Sequence, residues 1–441
     1  MLSQLHHGYF ESGAVVSQSE YARNLINGNG LKINKEYVRR VKEMQSEKSE
    51  LVDYQSVPGP DEENLTGRLI QDTPGYAFLL AATWKIFGEQ RYIYVQVIQV
   101  LIDTFMIFLV FRIGSEFFNR QIGFLAGSFY ALYLPQVRLA VAASRDTWAT
   151  FAVIICLYLL SRMIKNPDHS RRWIYYALVG LAIGLSTWLR PTVAFVPIFI
   201  GIAIFFRDGI KECLAAIMVS MFVVCITFWL PFIMMNYRDF GRPFIGPFGQ
   251  GLWAGMGIAG ENKYGFTLSD RKAAEWAKNQ GCDYEYGTPE FDDFLKKYAV
   301  NVIKRDPLFY LGTIARRLPS VILLRNDYGL PNVNYSDFRK ETGGTLKKFI
   351  RKYPFQFFYK SFRGVGEGLL AIIALIGFWI SREKWRQNLL LAIFPIYFII
   401  VHVPIHVESR YILPGAFSYL IFAAVLVYAV YEKTKLRKSS S

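Results

Sequence analysis

Charged and aromatic residues interrupt the apolar stretches of this sequence at a few places, and they are the residues best suited to chemistry. The segment "RLAVAASRDTWAT" places Arg138, Arg145 and Asp146 between two apolar stretches, and "STWLRPT" places Arg190 in a short turn. A later segment, "HVPIHVESRYILP", supplies His402, His406, Glu408, Arg410 and Tyr411. Charges at such positions are costly in lipid unless they are paired or solvated, so they mark functional sites.

A second set of polar residues precedes the first long apolar stretch. Glu11, Glu20 and Asp72 supply carboxylates there, and Tyr76 adds a hydroxyl close to Asp72. If these residues meet the arginines on one side of a membrane, together they form a polar cavity. Guanidinium groups suit the phosphate or diphosphate of a lipid carrier, and a carboxylate can take a proton from an acceptor hydroxyl or amine. The alternative is that each arginine reaches lipid headgroups and each acid pairs locally.

The histidine and cysteine residues do not indicate a metal site. His402 and His406 are four residues apart, but no HExxH motif surrounds them, and two histidines alone do not define a zinc site. Cys156, Cys213 and Cys225 lie in apolar stretches, Cys282 stands alone, and no CxxC occurs. We therefore expect no cofactor, no divalent metal and no disulfide framework.

The apolar stretches themselves predict an all-α polytopic membrane protein. Hydrophobic residues make up 52% of the 441 residues, and they are concentrated in blocks of about 17–25, which is the length of a membrane-spanning helix. We predict nine spans, at residues 92–112, 121–139, 146–164, 173–189, 191–206, 212–236, 366–381, 387–404 and 411–431.

The distribution of basic residues predicts which connections are cytoplasmic. Lys and Arg are concentrated in every second short connection and in the C-terminal tail, as in the connection between Arg112 and Arg120, and such connections lie inside. Residues 1–91 and 237–365 then lie outside, and the C-terminus is cytoplasmic. This bias explains the net charge of +15, so we do not expect nucleic acid as a partner.

The start of the chain is at odds with this topology. A polar segment as long as residues 1–91 has to be carried across the membrane, yet residues 1–30 contain no apolar stretch. The simplest interpretation is that an upstream membrane helix is missing from this sequence. The alternative is that residues 1–91 stay cytoplasmic and the spans pair differently.

The chain therefore divides into five predicted parts. The second polar part, residues 237–365, is predicted to be a small mixed domain. In it "GPFGQGLWAGMGIAG" is predicted to be a glycine-rich loop, and "RDPLFYLGTIARRLPSVILL" is predicted to be a basic helix on the membrane surface. The parts are a first extracytoplasmic loop (1–91) with an interface helix (74–88), a six-span bundle (92–236), an extracytoplasmic domain (237–365), a three-span part (366–432) and a cytoplasmic tail (433–441).

Several segments, in a shared order, resemble one known family. They are "SEYARNLINGNGL", "DTPGYAFLLAATWKIFG", "FFNRQIGFLAGSFYALYLPQVRLAVAASRDTW", "GLAIGLSTWLRPT", "WLPFIMMNYRDFGRPFIG" and "ESRYILP". The sequence resembles glycosyltransferase family 39, the membrane superfamily of dolichyl-phosphate-mannose protein mannosyltransferases and the lipid A aminoarabinose transferase. The similarity covers roughly residues 9–325 and 385–430.

This resemblance implies a GT-C fold and the transfer of a sugar from a polyprenyl-phosphate donor to an extracytoplasmic acceptor, without a nucleotide. It implies that an acid of the first outer loop is the general base, and Glu11 is the residue at that place. Asp146 matches a further acidic position, and Asp72 lies just before the interface helix. Two features depart from the family: no membrane helix precedes Glu11, and Ala77 replaces the second proline of the interface-helix motif.

The predicted function is therefore that of a membrane glycosyltransferase for hexosyl or pentosyl groups, in a prokaryotic plasma membrane. Its expected partners are a polyprenyl-phosphate sugar, membrane lipids and an acceptor that is a glycan, a lipid or a protein. The predicted catalytic residues are Glu11, Asp146 and Asp72. The predicted substrate-binding residues are Arg138, Arg145, Arg190, Glu408, Arg410, Tyr411 and Tyr76. A transporter, or a non-catalytic protein of cell-envelope assembly, is the alternative.

Overall fold

The structure is a computed structural model that describes residues 13–36, 38, 65–70, 72–166, 169–258, 262–324, 339, 343–352 and 368–439. Over these residues it consists of helices and turns, with one isolated antiparallel bridge between Ile33 and Thr66. Six of the described helices are long and apolar enough to cross a membrane, and two shorter apolar helices accompany them. The prediction of an all-α integral membrane protein is therefore confirmed.

The helices are numbered here in chain order. They are α1 (Gly13–Ile26), α2 (Gly75–Phe87), α3 (Tyr92–Phe117), α4 (Arg120–Ala131), α5 (Leu134–Val141), α6 (Asp146–Lys165), α7 (Arg172–Thr187), α8 (Val196–Asp208), α9 (Ile210–Phe240), α10 (Phe248–Gly257), α11 (Asp270–Asn279), α12 (Pro289–Arg305), α13 (Pro307–Ile322), α14 (Leu346–Lys352), α15 (Gly368–Ile380), α16 (Trp385–His402) and α17 (Leu413–Ser439).

Most predicted spans coincide with one helix to within a few residues, but the second does not. The predicted span 121–139 is divided into α4 and α5, with a break after Ala131. Pro135 lies in the first turn of α5. Because proline has no N–H to donate and its ring clashes with the preceding turn, a continuous helix through this position is disfavoured. The break directs α5 towards the loop that leads to Asp146.

The glycine-rich stretch predicted as a loop is instead helical, as α10. A Cβ atom at Gly249 would collide with the carbonyl oxygen of Asp292, and one at Gly255 would collide with that of Ile405. These glycines therefore allow a helix to lie directly against neighbouring backbone, a role that glycine content alone does not distinguish from a loop. The described residues of 237–365 form helices joined by turns and irregular segments, and no strand is assigned among them.

The first polar part packs on the turn between α7 and α8. The Gly75 amide donates a hydrogen bond to the carbonyl oxygen of Trp188 at 3.1 Å, and the side chain of Thr73 donates to the carbonyl of Leu189 at 3.4 Å. A Cβ atom at Gly75 would collide with the Trp188 carbonyl. Glycine is thus needed where α2 meets this turn, and the contact joins Thr73, which follows Asp72, to Leu189, which precedes Arg190.

Candidate functional site

A buried ion pair between two sequence-distant residues forms the centre of the site. Asp146 is the first residue of α6, and Arg190 lies in the turn after α7. Arg190 Nη1 is 3.0 Å from Asp146 Oδ1, and Asp146 has no exposed surface while Arg190 is 5% exposed. The Ser144 hydroxyl donates to Asp146 Oδ2 at 3.1 Å. A carboxylate at the N-terminus of α6 is also favoured by the helix dipole.

The loop between α16 and α17 brings a second group of charges to this pair. Arg410 Nε is 2.7 Å from Glu408 Oε2 and 3.9 Å from Asp146 Oδ2. The Tyr411 hydroxyl donates to Glu408 Oε1 at 2.9 Å, and the Arg190 guanidinium lies 4.3 Å from the centre of the Tyr411 ring. The two segments of the chain therefore share one electrostatic cluster.

Two groups of the cluster have pKa values that reflect their neighbours. Burial raises the pKa of Glu408, but the hydrogen bond with His406 and the charge of Arg410 outweigh it and hold that pKa well below its ordinary value. Burial and the charge of Arg190 lower the pKa of Arg145, while the charges of Asp146 and Asp72 oppose this effect. Arg145 therefore lies among the same charges, and Glu408 stays ionised at neutral pH.

Asp72 and Tyr76, which flank the start of α2, are both buried. Arg68 donates to the backbone carbonyl of Asp72 at 2.9 Å and also hydrogen-bonds the side chain of Asn236, which links the first polar part to α9. The Tyr76 hydroxyl donates to Gln99 at 3.0 Å. Tyr76 therefore links α2 to α3, and the substrate contact predicted for it stays a prediction.

The remaining predicted residues are placed as follows. Arg138 is half-buried on α5, the helix that precedes the loop with Ser144. Glu20 is fully buried in α1, where Asn24 donates to it at 3.1 Å and Arg23 lies at 3.4 Å, so it is paired locally. Glu11, the residue predicted as general base, lies outside the described residues.

The buried nitrogen atoms of the site that have no hydrogen-bond partner include Arg190 Nη2, His402 Nε2 and His406 Nδ1. The His402 ring lies 4.8 Å from the Tyr411 ring, and that of His406 lies 5.9 Å from it. Buried polar atoms without a partner cost about 1–3 kcal/mol each, so a ligand that forms hydrogen bonds with them would be favoured. The site thus has buried nitrogen atoms around Tyr411 that are able to form hydrogen bonds with a ligand.

Ser144 was not among the predicted site residues, and His402 was named with its charged segment but was assigned no role at the site. Both stand beside predicted residues in the sequence, Ser144 next to Arg145 and His402 at the end of a span, so position relative to the charged segments was an available signal. Among the described residues no group of three His, Cys, Asp or Glu side chains is arranged to hold a metal ion. The expectation that the protein needs no metal stays a prediction.

Comparison with known proteins supports the family resemblance. Residues 71–234 match the family described as dolichyl-phosphate-mannose-protein mannosyltransferase, which confirms that resemblance for this part of the chain. The matched part contains Asp72, Arg145, Asp146 and Arg190, whereas the loop with Glu408 lies beyond it. A sequence search among curated proteins finds no match.

Two solved structures show how far the likeness extends. The archaeal oligosaccharyltransferase AglB from Archaeoglobus fulgidus, solved with an inhibitory peptide and a dolichol-phosphate, is 16% identical with a TM-score of 0.52 over 98% of this chain and 48% of its own. The chain thus spans about half the length of that relative. ArnT from Cupriavidus metallidurans, solved with undecaprenyl phosphate, is 11% identical with a TM-score of 0.32 over 96% of this chain and 73% of its own. The likeness to AglB shows a shared fold.

Proposed function

We propose that this chain, whose residues 71–234 match the mannosyltransferase family, transfers a hexosyl or pentosyl group from a polyprenyl-phosphate carrier to an acceptor on the non-cytoplasmic side of the membrane. The observation that carries the proposal is the buried Asp146–Arg190 pair with unpartnered nitrogen atoms beside it. Arg190 directly precedes one helix that is long and apolar enough to cross a membrane, and His402 ends another, so a lipid carrier is the ligand class that suits these atoms.

The charges of the site suit the phosphate of such a donor. Arg190 uses one terminal nitrogen for Asp146 and has the other, Nη2, buried without a partner. A phosphate oxygen placed there accepts a charge-assisted hydrogen bond, which is stronger than a neutral one. Arg145 and Arg410 add positive charge close by, and His402 Nε2 offers a further nitrogen on the Tyr411 side.

In the proposed reaction the bond between the sugar C1 and the phosphate oxygen breaks, and a bond forms between C1 and an acceptor oxygen or nitrogen. The polyprenyl phosphate leaves with the electron pair, and the acceptor proton passes to a carboxylate. Glu11 is the base that the resemblance implies, and Asp72 is the alternative among the described residues. Asp146 holds Arg190 and accepts from Ser144, so it is assigned to orienting the phosphate-binding groups.

The family description supports this donor class, since it names a dolichyl-phosphate sugar. AglB, which shares the fold, was solved with a dolichol-phosphate, a lipid phosphate of the same kind. The proposal includes no nucleotide and no metal. The sidedness in the proposal comes from the basic residues of the short connections.

The test is a transfer assay with the full chain in lipid vesicles. Labelled polyprenyl-phosphate hexoses and pentoses are supplied together with a cell-envelope fraction as acceptor, and the release of free polyprenyl phosphate is measured, because this product is common to every sugar. We expect release by the wild type and a fall of about 100-fold or more in Arg190→Ala, because the donor phosphate loses its preorganised cation. Arg386→Ala, which removes an exposed arginine at the start of α16, is the matched control.

The carboxylates are tested in the same assay. Glu11→Gln and Asp146→Asn should also abolish release while their membrane levels hold, and Asp72→Asn distinguishes the two candidate bases. Wild-type rates in Glu11→Gln, Asp146→Asn and Arg190→Ala together would contradict the proposed function.

A further inference from the structure

Two side chains of helix α13, in the second polar part, form hydrogen bonds with the loop that brings Glu408, Arg410 and Tyr411 to the site. The Tyr310 hydroxyl donates to the carbonyl oxygen of Pro404 at 2.8 Å, and Arg317 Nη1 donates to that of Ile405 at 2.8 Å. Two side chains of one helix thus donate hydrogen bonds to two consecutive carbonyl groups of the loop. These carbonyl groups directly precede the loop residues that belong to the charged cluster.

Arg317 is an unusual residue for this purpose because it is a buried cation. Its side chain is 1% exposed, although the sequence predicted a basic helix on the membrane surface. Its remaining donors bond its own helix, with Nε on the Thr313 carbonyl at 3.1 Å and Nη2 on the Thr313 hydroxyl at 3.0 Å. Across the described ranges no acid forms an ion pair with it. A buried charge is costly, so packing alone would be served better by an apolar side chain.

The backbone of helix α10 also packs against the Ile405 carbonyl. A Cβ atom at Gly255 would collide with the Ile405 carbonyl oxygen, and it would lie 2.5 Å from Arg317 Nη1. The Ile405 carbonyl is therefore enclosed by the backbone of α10 and the guanidinium of α13. Because both helices belong to the second polar part, that part fixes the position of the loop.

We propose that Arg317 is a positioning residue, which holds the 403–411 loop so that Glu408, Arg410 and Tyr411 stand correctly against Arg190 and Asp146. This inference rests on the proposed function for its effect on catalysis, but the positioning itself is independent of it. Arg317 does not touch the donor or the reacting atoms. It acts through the Ile405 carbonyl, three residues before Glu408.

The experiment compares Arg317→Met with Arg316→Met in the full chain. Arg316 is the neighbouring residue of the same helix and is exposed, so both variants lose one charge by the same substitution. We expect kcat of sugar transfer to fall about 100-fold in Arg317→Met, the loss that a displacement of about 1 Å produces, with a much smaller change in KM. Arg316→Met should keep the wild-type kcat.

Hydrogen exchange gives a readout that does not depend on activity. The amides of residues 403–411 should exchange faster in Arg317→Met than in Arg316→Met, and Arg317→Lys should restore part of both the protection and kcat because lysine still reaches one carbonyl. Tyr310→Phe, which removes only the bond to Pro404, should loosen the same amides and carries the test if Arg317→Met does not fold.

The outcomes separate the two proposals. If the wild type releases no polyprenyl phosphate, the proposed function fails, and hydrogen exchange alone then decides the positioning role. Equal exchange of residues 403–411 in Arg317→Met, Tyr310→Phe and Arg316→Met would overturn the inference, as would an unchanged kcat in Arg317→Met of an active enzyme.

Discussion

Removing only one member of the Asp146–Arg190 pair should cost more than half of the stability that is lost when both members are removed. The perturbation is a double-mutant cycle of Asp146→Asn, Arg190→Gln and the two together. Asp146 is 0% exposed and Arg190 is 5% exposed, and their closest atoms are 3.0 Å apart. Each single variant therefore leaves a buried charge without its main partner, which costs about 3–5 kcal/mol.

The neighbouring charges decide where each variant lies in that range. In Arg190→Gln the carboxylate of Asp146 still faces Arg410 at 3.9 Å and the charge of Arg145, so we expect about 3 kcal/mol. In Asp146→Asn the three arginines face one another with one fewer negative charge, so we expect about 5 kcal/mol. Independent losses would sum to about 8 kcal/mol, but with a coupling of about 3 kcal/mol the double variant should lose about 5 kcal/mol.

The assay is the free energy of unfolding of the purified chain in lipid bicelles, measured for all four proteins at one pH and ionic strength. A double variant that loses the full sum of the two single losses would refute the reasoning, because the two charges would then not stabilise each other. Single losses below about 1 kcal/mol would refute it as well, since that is the value of a solvated surface pair.

Two further predictions concern the backbone at α2 and the pH dependence of stability. Gly75→Ala should lower the free energy of unfolding by about 1–3 kcal/mol, because its Cβ collides with the Trp188 carbonyl. Gly67→Ala, where no atom lies within 4 Å of the added Cβ, should be neutral in the same measurement of the free energy of unfolding. The folded-state pKa of Glu408 lies below its unfolded value, so its stabilisation is present above about pH 4.3 and is lost as pH falls further. Between about pH 5 and 3 the wild type should therefore lose more stability than Glu408→Gln, and equal losses would contradict the assignment.

The membrane helices could be predicted from the sequence because a span needs only length and apolarity. Helix α3, for example, begins at Tyr92, where the first predicted span begins. The helices around Pro135 were harder, since proline is tolerated within membrane helices and its position alone does not say whether a helix bends or ends. The structure shows that the helix ends before it.

The charged residues of the site could be predicted as a group but not as pairs. Asp146, Arg190 and Arg410 stand out in the sequence because each interrupts an apolar pattern at the end of a span. Their contacts depend on which helix ends meet, and this follows from packing across the bundle. The burial of Arg317 was missed for the same reason: helical periodicity places it on a face of α13, but only the loop at Ile405 decides what that face touches.

The glycine-rich α10 is a case in which amino-acid composition predicts the wrong local structure. Composition predicts a loop there because glycine is costly inside a helix, and that cost is real. It is offset because Gly249 and Gly255 allow the helix to lie against the carbonyl groups of Asp292 and Ile405. A close approach of this kind has no local sequence signature.

The central claim is that the donor phosphate binds at the buried pair, and a structure of the full chain with a polyprenyl phosphate tests it most directly. We predict phosphate oxygens within hydrogen-bond distance of Arg190 Nη2 and His402 Nε2, which are two of the buried side-chain atoms without a hydrogen-bond partner among the described residues. A phosphate bound away from the Asp146–Arg190 pair, with both of these atoms still unpartnered, would contradict the claim.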